Sequence, residues 1–135
     1  MPITIKSERE IELMTEAGRI LGIVHKELEK ALKPGMSTLD IDALGEEVIR
    51  SYGCEPSFLN YNGYPASICV SVNDEVVHGI PKKNRILQEG DIVSLDAGLI
   101  YKGYHSDAAR TWGVGEISAE AVSYTHLTLP TNREV

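Results

Sequence analysis

The chain has 135 residues, a formal net charge of −7, 42% hydrophobic and 24% charged residues, and two cysteines, which is typical of one reduced globular domain. It carries no basic cluster that would bind nucleic acid, no apolar run near the roughly 18 residues of a membrane span, and no apolar core of a secretory signal at its start. We therefore expect a cytoplasmic protein that recognises neither membranes nor nucleic-acid sequence.

The first third of the chain predicts two amphipathic helices. A capping-box pattern at Ser7–Glu10 begins the first helix, and Lys33–Gly35, with its central proline, ends it. Thr38 is the expected cap of the second helix, which should end by Gly53. Apolar residues recur at helical spacing and should face the core: Ile11, Met14, Ile20, Leu21, Val24 and Leu28 in the first helix, and Ile41, Leu44, Val48 and Ile49 in the second.

The middle of the chain changes to strand patterns. Ser67–Val72 is rich in β-formers, Val76–Val77 is a short apolar pair, and Asp91–Tyr101 and Tyr104–Trp112 are longer runs. Lys102–Gly103 between the last two is a candidate hairpin turn. Two helices followed by an antiparallel sheet predict an α+β fold.

Asp96 and Asp107 are the first candidates for chemistry. Asp96 interrupts an apolar run, where a carboxylate is costly unless it is paired or bound to a metal. A two-residue turn after Tyr101 would place Asp96 opposite Ala109. The same register places Asp107 opposite Gly98, so the two carboxylates become diagonal neighbours on one face of the sheet. The small residues at the other two corners should leave room between the carboxylates, and divalent cations would relieve their repulsion.

The residues alone leave an alternative open for this pair. One aspartate could cap a turn while the other lies at a wet edge of the sheet. A three-residue turn would place the two carboxylates on opposite faces.

A histidine and an aromatic cluster are further candidates. His78 follows an apolar pair, which would place it where a strand enters a loop, a position that suits proton transfer or ligation. His25, expected at the surface, and His105, beside the turn, are weaker candidates. A structural histidine and ordinary core packing are the alternatives for His78 and for the cluster. The cluster could line a pocket for a flexible thioether; it consists of Phe58, Tyr61, Tyr64 and Cys69.

Three segments, in order, resemble type I methionine aminopeptidases: Tyr61–Pro81, Asp91–Gly98 and Gly103–Thr111. The resemblance runs from about Ile3 to about Gly115. It implies the pita-bread fold, a pseudo-symmetric α/β domain whose two halves enclose two divalent metal ions. It also implies removal of the initiator methionine from nascent proteins, a role that is compatible with association with the ribosome.

The resemblance implies a role for each matched residue. Asp96 resembles the aspartate that chelates one metal, and Asp107 resembles the one that bridges both metals. His78 resembles the histidine that hydrogen-bonds the substrate and assists proton movement. The metal itself (cobalt, manganese, iron or zinc) is not implied. Tyr61, Tyr64 and Cys69 resemble residues that line the methionine side-chain pocket, and Phe58 occupies a pocket position at which family members vary.

The family's other metal ligands, one histidine and two glutamates, and a second catalytic histidine belong to a C-terminal half. We therefore expect residues 1–121 to be the N-terminal half of the catalytic domain and to be inactive alone. Truncation should also expose the apolar residues of Ile92–Tyr101. Residues 122–135 show no helical period and resemble a translated sequencing adapter, so we expect a non-native tail; an ordinary irregular extension is the alternative. His126 and Glu134 lie in no ligand-like context.

Two other functions are weighed against this one. A proline-specific aminopeptidase of the same fold is disfavoured by the segment Tyr61–Cys69. A non-catalytic pita-bread binding protein is disfavoured for the full-length protein because both carboxylates and His78 are present.

Overall fold

The computed structural model describes residues 2–125. The helices are α1 (Glu8–Ala31), α2 (Thr38–Ser51) and α3 (Ala119–Thr125), and the strands are β1 (Glu55–Pro56), β2 (Ile68–Val72), β3 (Ile92–Tyr101) and β4 (Tyr104–Gly113). A short 3-10 turn, Tyr61–Gly63, lies between β1 and β2. This order of helices and antiparallel strands confirms the predicted α+β class.

β3 is the central strand of the sheet. β4 pairs antiparallel with it along its whole length, from Ile92 opposite Gly113 to Tyr101 opposite Tyr104. β2 and the two-residue β1 pair with different parts of β3, so they follow one another along the other edge. β1 and the 3-10 turn after it were not foreseen from the sequence.

Capping boxes begin both long helices. Ser7 Oγ accepts from Glu10 N–H while the Glu10 carboxylate accepts from Ser7 N–H, as predicted. The second helix is capped by Ser37 in the same way, rather than by Thr38 as expected. The Thr38 hydroxyl instead donates to the Lys82 carbonyl at 3.1 Å. A side-chain N-cap contributes about 1 kcal/mol.

The core lies between the helices and one face of the sheet. Val93, Leu95 and Leu99 of β3 are fully buried there, in one cluster with apolar residues of α1 and α2, and each large apolar side chain contributes about 1.5–3 kcal/mol. The expectation that truncation exposes the apolar residues of β3 is therefore wrong, because the chain's own helices cover them. Ile11 and Met14, predicted to face the core, are 53% and 41% exposed.

Two further segments differ from expectation. Val76 and Val77 are exposed and belong to no strand, so His78 lies within a loop rather than at a strand end. α3 continues to Thr125, so the first four residues of the expected tail are helical; residues 126–135, with His126 and Glu134, lie outside the described residues. No helix in the described part of the chain is long and apolar enough to cross a membrane.

Candidate metal and substrate site

The sheet face opposite the helices carries both candidate carboxylates. Asp96 lies opposite Ala109, and Asp107 lies opposite Gly98. The turn has two residues, as predicted, and both have positive φ angles of 49° and 87°, which suits a tight hairpin. The diagonal placement of the two carboxylates on one face is therefore confirmed.

A pocket of about 630 Å³ opens beside these carboxylates. Its volume is in the range of small-molecule sites. The seven predicted site residues all line it, together with a few neighbours, so the structure brings them together while their roles stay predictions. The lining residues are Phe58, Tyr61, Asn62, Gly63, Tyr64, Pro65, Cys69, His78, Ile80, Asp96 and Asp107.

The two carboxylates interact directly. Burial raises the pKa of Asp96 to about 6, and the adjacent Asp107 adds to the rise through a hydrogen bond and through repulsion, while His78 opposes it. Below about pH 6 the pair therefore tends to retain a proton. A divalent cation would relieve the same repulsion, because carboxylate oxygens are its usual ligands.

These residues fit one side of a metal site rather than a whole one. Asp96 is half-buried and Asp107 is exposed, so both reach the pocket from the sheet. Within residues 2–125, no group of three or more His, Cys, Asp or Glu side chains could enclose a metal ion. The described residues thus supply two ligands, and a complete site needs others.

An aromatic and sulfur-containing wall forms the rest of the pocket. The Phe58 and Tyr64 rings pack edge-to-face, with centroids 6.4 Å apart. Cys69 lies opposite Asp96 in the β2–β3 pairing, and burial raises the pKa of its thiol, so the sulfur is neutral and apolar at neutral pH. Tyr61 is 70% exposed and forms the rim. Such a wall suits a flexible apolar side chain.

We had expected Gly98 to leave an empty space between the carboxylates, and it does not. A Cβ at this position would collide with Oγ of Ser57 and lie 3.0 Å from the ring of Phe58. The Ser57 N–H also donates to the Gly98 carbonyl at 3.1 Å. Because Gly98 has no side chain, the segment at Ser57 can pack closely against β3, and this packing places Phe58 at the pocket.

We expect Gly98→Ala to displace Phe58 and to lower the free energy of unfolding of the full-length protein by about 1–3 kcal/mol, as overpacking does. Gly22→Ala is the matched control, since nothing lies within 4 Å of its Cβ position in α1, and alanine there should stabilise by about 0.5–1 kcal/mol. Urea unfolding of both variants measures the difference. Equal stability of the Gly98→Ala variant and the parent would contradict this packing role.

Two buried polar residues outside the pocket were misjudged or missed. His25, expected at the surface, is 4% exposed; its Nε2 lies 2.9 Å from the Ala108 carbonyl and burial lowers its pKa. Its spacing from Leu21 and Leu28 could have revealed this burial. Asp42 on α2 accepts the N–H groups of Ser67 and Ile68, each at 2.8 Å, and so anchors the start of β2. An aspartate beside the apolar Ile41 was the available signal.

Comparison with known proteins identifies the family. A sequence model of metallopeptidase family M24 matches residues 12–131, which is most of the chain and runs past Ala121. The chain belongs to metallopeptidase family M24. This M24 chain is 54% identical over 126 residues to a methionine aminopeptidase of Clostridium acetobutylicum, covering 93% of the chain and 50% of that relative.

Solved structures agree with the M24 assignment. The methionine aminopeptidase of Thermotoga maritima superposes with a TM-score of 0.87 at 40% identity, covering 92% of this chain and 50% of that one. An Xaa-Pro dipeptidase of Bacillus anthracis superposes with a TM-score of 0.75 at 30% identity, covering 88% and 32%. The M24 chain is thus a methionine aminopeptidase homologue that spans about half the length of its methionine aminopeptidase relatives, and its fold matches half of the pita-bread structure, as predicted. Family membership implies a metal.

Proposed function

We propose that this chain is the N-terminal half of a metal-dependent methionine aminopeptidase that removes the initiator methionine from nascent proteins. The observation that supports the proposal best is the convergence of Asp96, Asp107 and His78 on one pocket with an aromatic and sulfur-containing wall. The 54% identity to a methionine aminopeptidase supports the same substrate class. The remaining ligands, one histidine and two glutamates, would come from the other half of the full-length protein.

Asp96 and Asp107 would hold two divalent ions from this side of the pocket. When bound, such ions lower the pKa of a water molecule and polarise a carbonyl group. The chemistry of two carboxylates suits cobalt, manganese, iron or zinc, and the choice depends on the ligands from the other half. The positive charge of bound metal ions would stabilise both carboxylates in their ionised form.

The other pocket residues would act on the peptide. His78 would hydrogen-bond the substrate and assist proton movement at the scissile amide. The methionine side chain would lie against Phe58, Tyr64 and the neutral thiol of Cys69, because a thioether packs favourably on aromatic rings. Tyr61 at the rim would close the pocket over the substrate.

Domain organisation and cellular context complete the proposal. Residues 1–121 would form this half of the domain, with residues 122–135 as a non-native tail. The protein would act in the cytoplasm on the N-terminal methionine of nascent chains, near the ribosome. A proline-specific aminopeptidase is the second candidate, since the Xaa-Pro dipeptidase shares the fold, but its TM-score is lower than that of the methionine aminopeptidase.

We expect the full-length protein to release methionine from Met-Ala-Ser in the presence of a divalent metal and to leave Ala-Pro intact. The wall of the pocket suits a thioether, and the carboxylates need a metal. Release of free amino acids, followed by mass spectrometry before and after exhaustive chelation, measures this. Activity that survives chelation, or cleavage of Ala-Pro in preference to Met-Ala-Ser, would contradict the proposal.

A further inference from the structure

The loop that carries His78 is held in an unusual backbone conformation. His78 has a φ angle of 57°, in the left-handed region that residues other than glycine rarely adopt. Such a conformation persists only where the surroundings fix it. Because His78 belongs to no helix or strand, contacts from neighbouring elements must supply that restraint.

The restraint acts on the residue that follows His78. The Gly79 N–H donates to Ser71 Oγ at 3.1 Å, and the Gly79 carbonyl accepts from Val70 N–H at 2.8 Å. The Tyr64 hydroxyl also donates to the Gly79 carbonyl, at 3.4 Å. A Cβ on Gly79 would collide with the Val70 carbonyl, so the loop packs directly against β2.

Among the side chains that hydrogen-bond to Gly79, Ser71 is the one that lies outside the pocket. It is 5% exposed and is not among the residues that line the pocket. It lies on the same face of β2 as Cys69, two residues along the strand, and opposite Ser94 of β3. Its hydroxyl therefore reaches the loop but not a ligand in the pocket.

We propose that Ser71 is a positioning residue for His78: its hydroxyl fixes the Gly79 peptide and thereby aims the imidazole at the substrate. The role rests on the proposed function. Loss of the hydroxyl leaves the buried Gly79 N–H without its acceptor, which favours a displaced loop. A displacement of about 1 Å in a catalytic group can reduce turnover about 100-fold.

The test compares variants of the full-length protein on Met-Ala-Ser. Ser71→Ala should lower kcat by about 10- to 100-fold, with little change in KM or in bound metal. Ser94→Ala is the matched control, because Ser94 lies directly opposite Ser71 and its hydroxyl pairs with Thr111 at 2.8 Å instead of with the loop. This control should keep the kcat of the parent.

A double-mutant cycle separates positioning from general stability. In a His78→Ala background, Ser71→Ala should cause no further loss of kcat, since the group that it positions is already gone. If Ser71→Ala lowers kcat by the same factor in both backgrounds, its role is merely structural and the proposal is overturned. A normal kcat for Ser71→Ala would also overturn it.

Ser71→Thr covers the case in which Ser71→Ala fails to fold. Ser71→Thr keeps the hydroxyl and should retain kcat within about threefold, whereas a loss of tenfold or more in this folded variant would overturn the proposal. A parent without metal-dependent methionine release would instead overturn the proposed function, and the role of Ser71 with it.

Discussion

Asp96→Asn and Asp107→Asn in the full-length protein should each reduce methionine release by more than about 100-fold, because loss of even an outer partner of a metal ligand costs about 10–100-fold. Each variant should also lose bound metal. Asparagine has nearly the shape of aspartate, but its neutral amide binds divalent ions poorly and cannot offset their charge. Metal analysis of the purified variants, beside peptide assays, measures both effects.

The same variants carry a control for folding. Burial and Asp107 raise the pKa of Asp96 to about 6, so in the metal-free parent the two carboxylates repel most strongly above that pH. Asp107→Asn removes this repulsion and should make the metal-free protein more stable than the metal-free parent. The difference should be small below the ordinary pKa of 3.8, grow as the pH rises from there to about 6, and change little above that. A destabilised Asp107→Asn variant would show that its loss of activity reflects misfolding.

His78→Ala provides the contrast with the aspartate variants. It should lower turnover by about 10²–10⁴-fold, as loss of a proton-transfer group does, while bound metal stays near the level of the parent. If His78→Ala loses metal as Asp107→Asn does, then His78 is a ligand and its assignment to the substrate is wrong.

The chain of 135 residues, expressed alone, should release no measurable methionine and should not behave as a stable monomer. The described residues offer two metal ligands, and affinity depends on ligand number and geometry. The ten-residue strand β4 pairs only with β3 among the described strands, which leaves an edge that can recruit another chain. Buried apolar residues of β3 do not contribute to this instability, since they lie in a core cluster with apolar residues of both long helices.

Buried polar atoms on the helix side of β4 also support the prediction that the isolated chain is not a stable monomer. His25 Nδ1 and Trp112 Nε1 are buried without a hydrogen-bond partner within the described residues, and each such atom costs about 1–3 kcal/mol. Light scattering, thermal unfolding and peptide assays of the isolated chain measure the outcome. A monomer with a cooperative transition would contradict the stability half of the prediction, and measurable turnover would contradict the catalytic half.

Local signals in the sequence were sufficient to predict the arrangement of the two carboxylates. Lys102 and Gly103 favour a two-residue turn, and turn length alone sets the parity of every pair in the hairpin. The placement of Asp96 and Asp107 on one face therefore followed from the turn residues and the alternation of strands. The first capping box could be predicted for the same reason, since its atoms lie within one helical turn.

Features that depend on contacts between distant segments could not be predicted in this way. Gly98 was taken as a gap between carboxylates, whereas the segment at Ser57 fills the space above it. Val76 and Val77 have high strand propensity but are exposed and belong to no strand, and the following Gly79 carbonyl accepts from the Val70 N–H instead. The hydrogen bond from the Gly79 N–H to Ser71 Oγ is of this kind as well, because the two residues are eight positions apart along the chain.

One reconstitution tests most directly whether residues 1–121 form a working half of a methionine aminopeptidase site. These residues would be fused to the C-terminal half of the Clostridium acetobutylicum relative, which is 54% identical in the region that this chain covers. We expect the fusion to release methionine from Met-Ala-Ser only with added divalent metal, and to lose this activity when Asp107→Asn is introduced. A folded fusion that binds two metal ions per molecule but releases no methionine would contradict the proposed function.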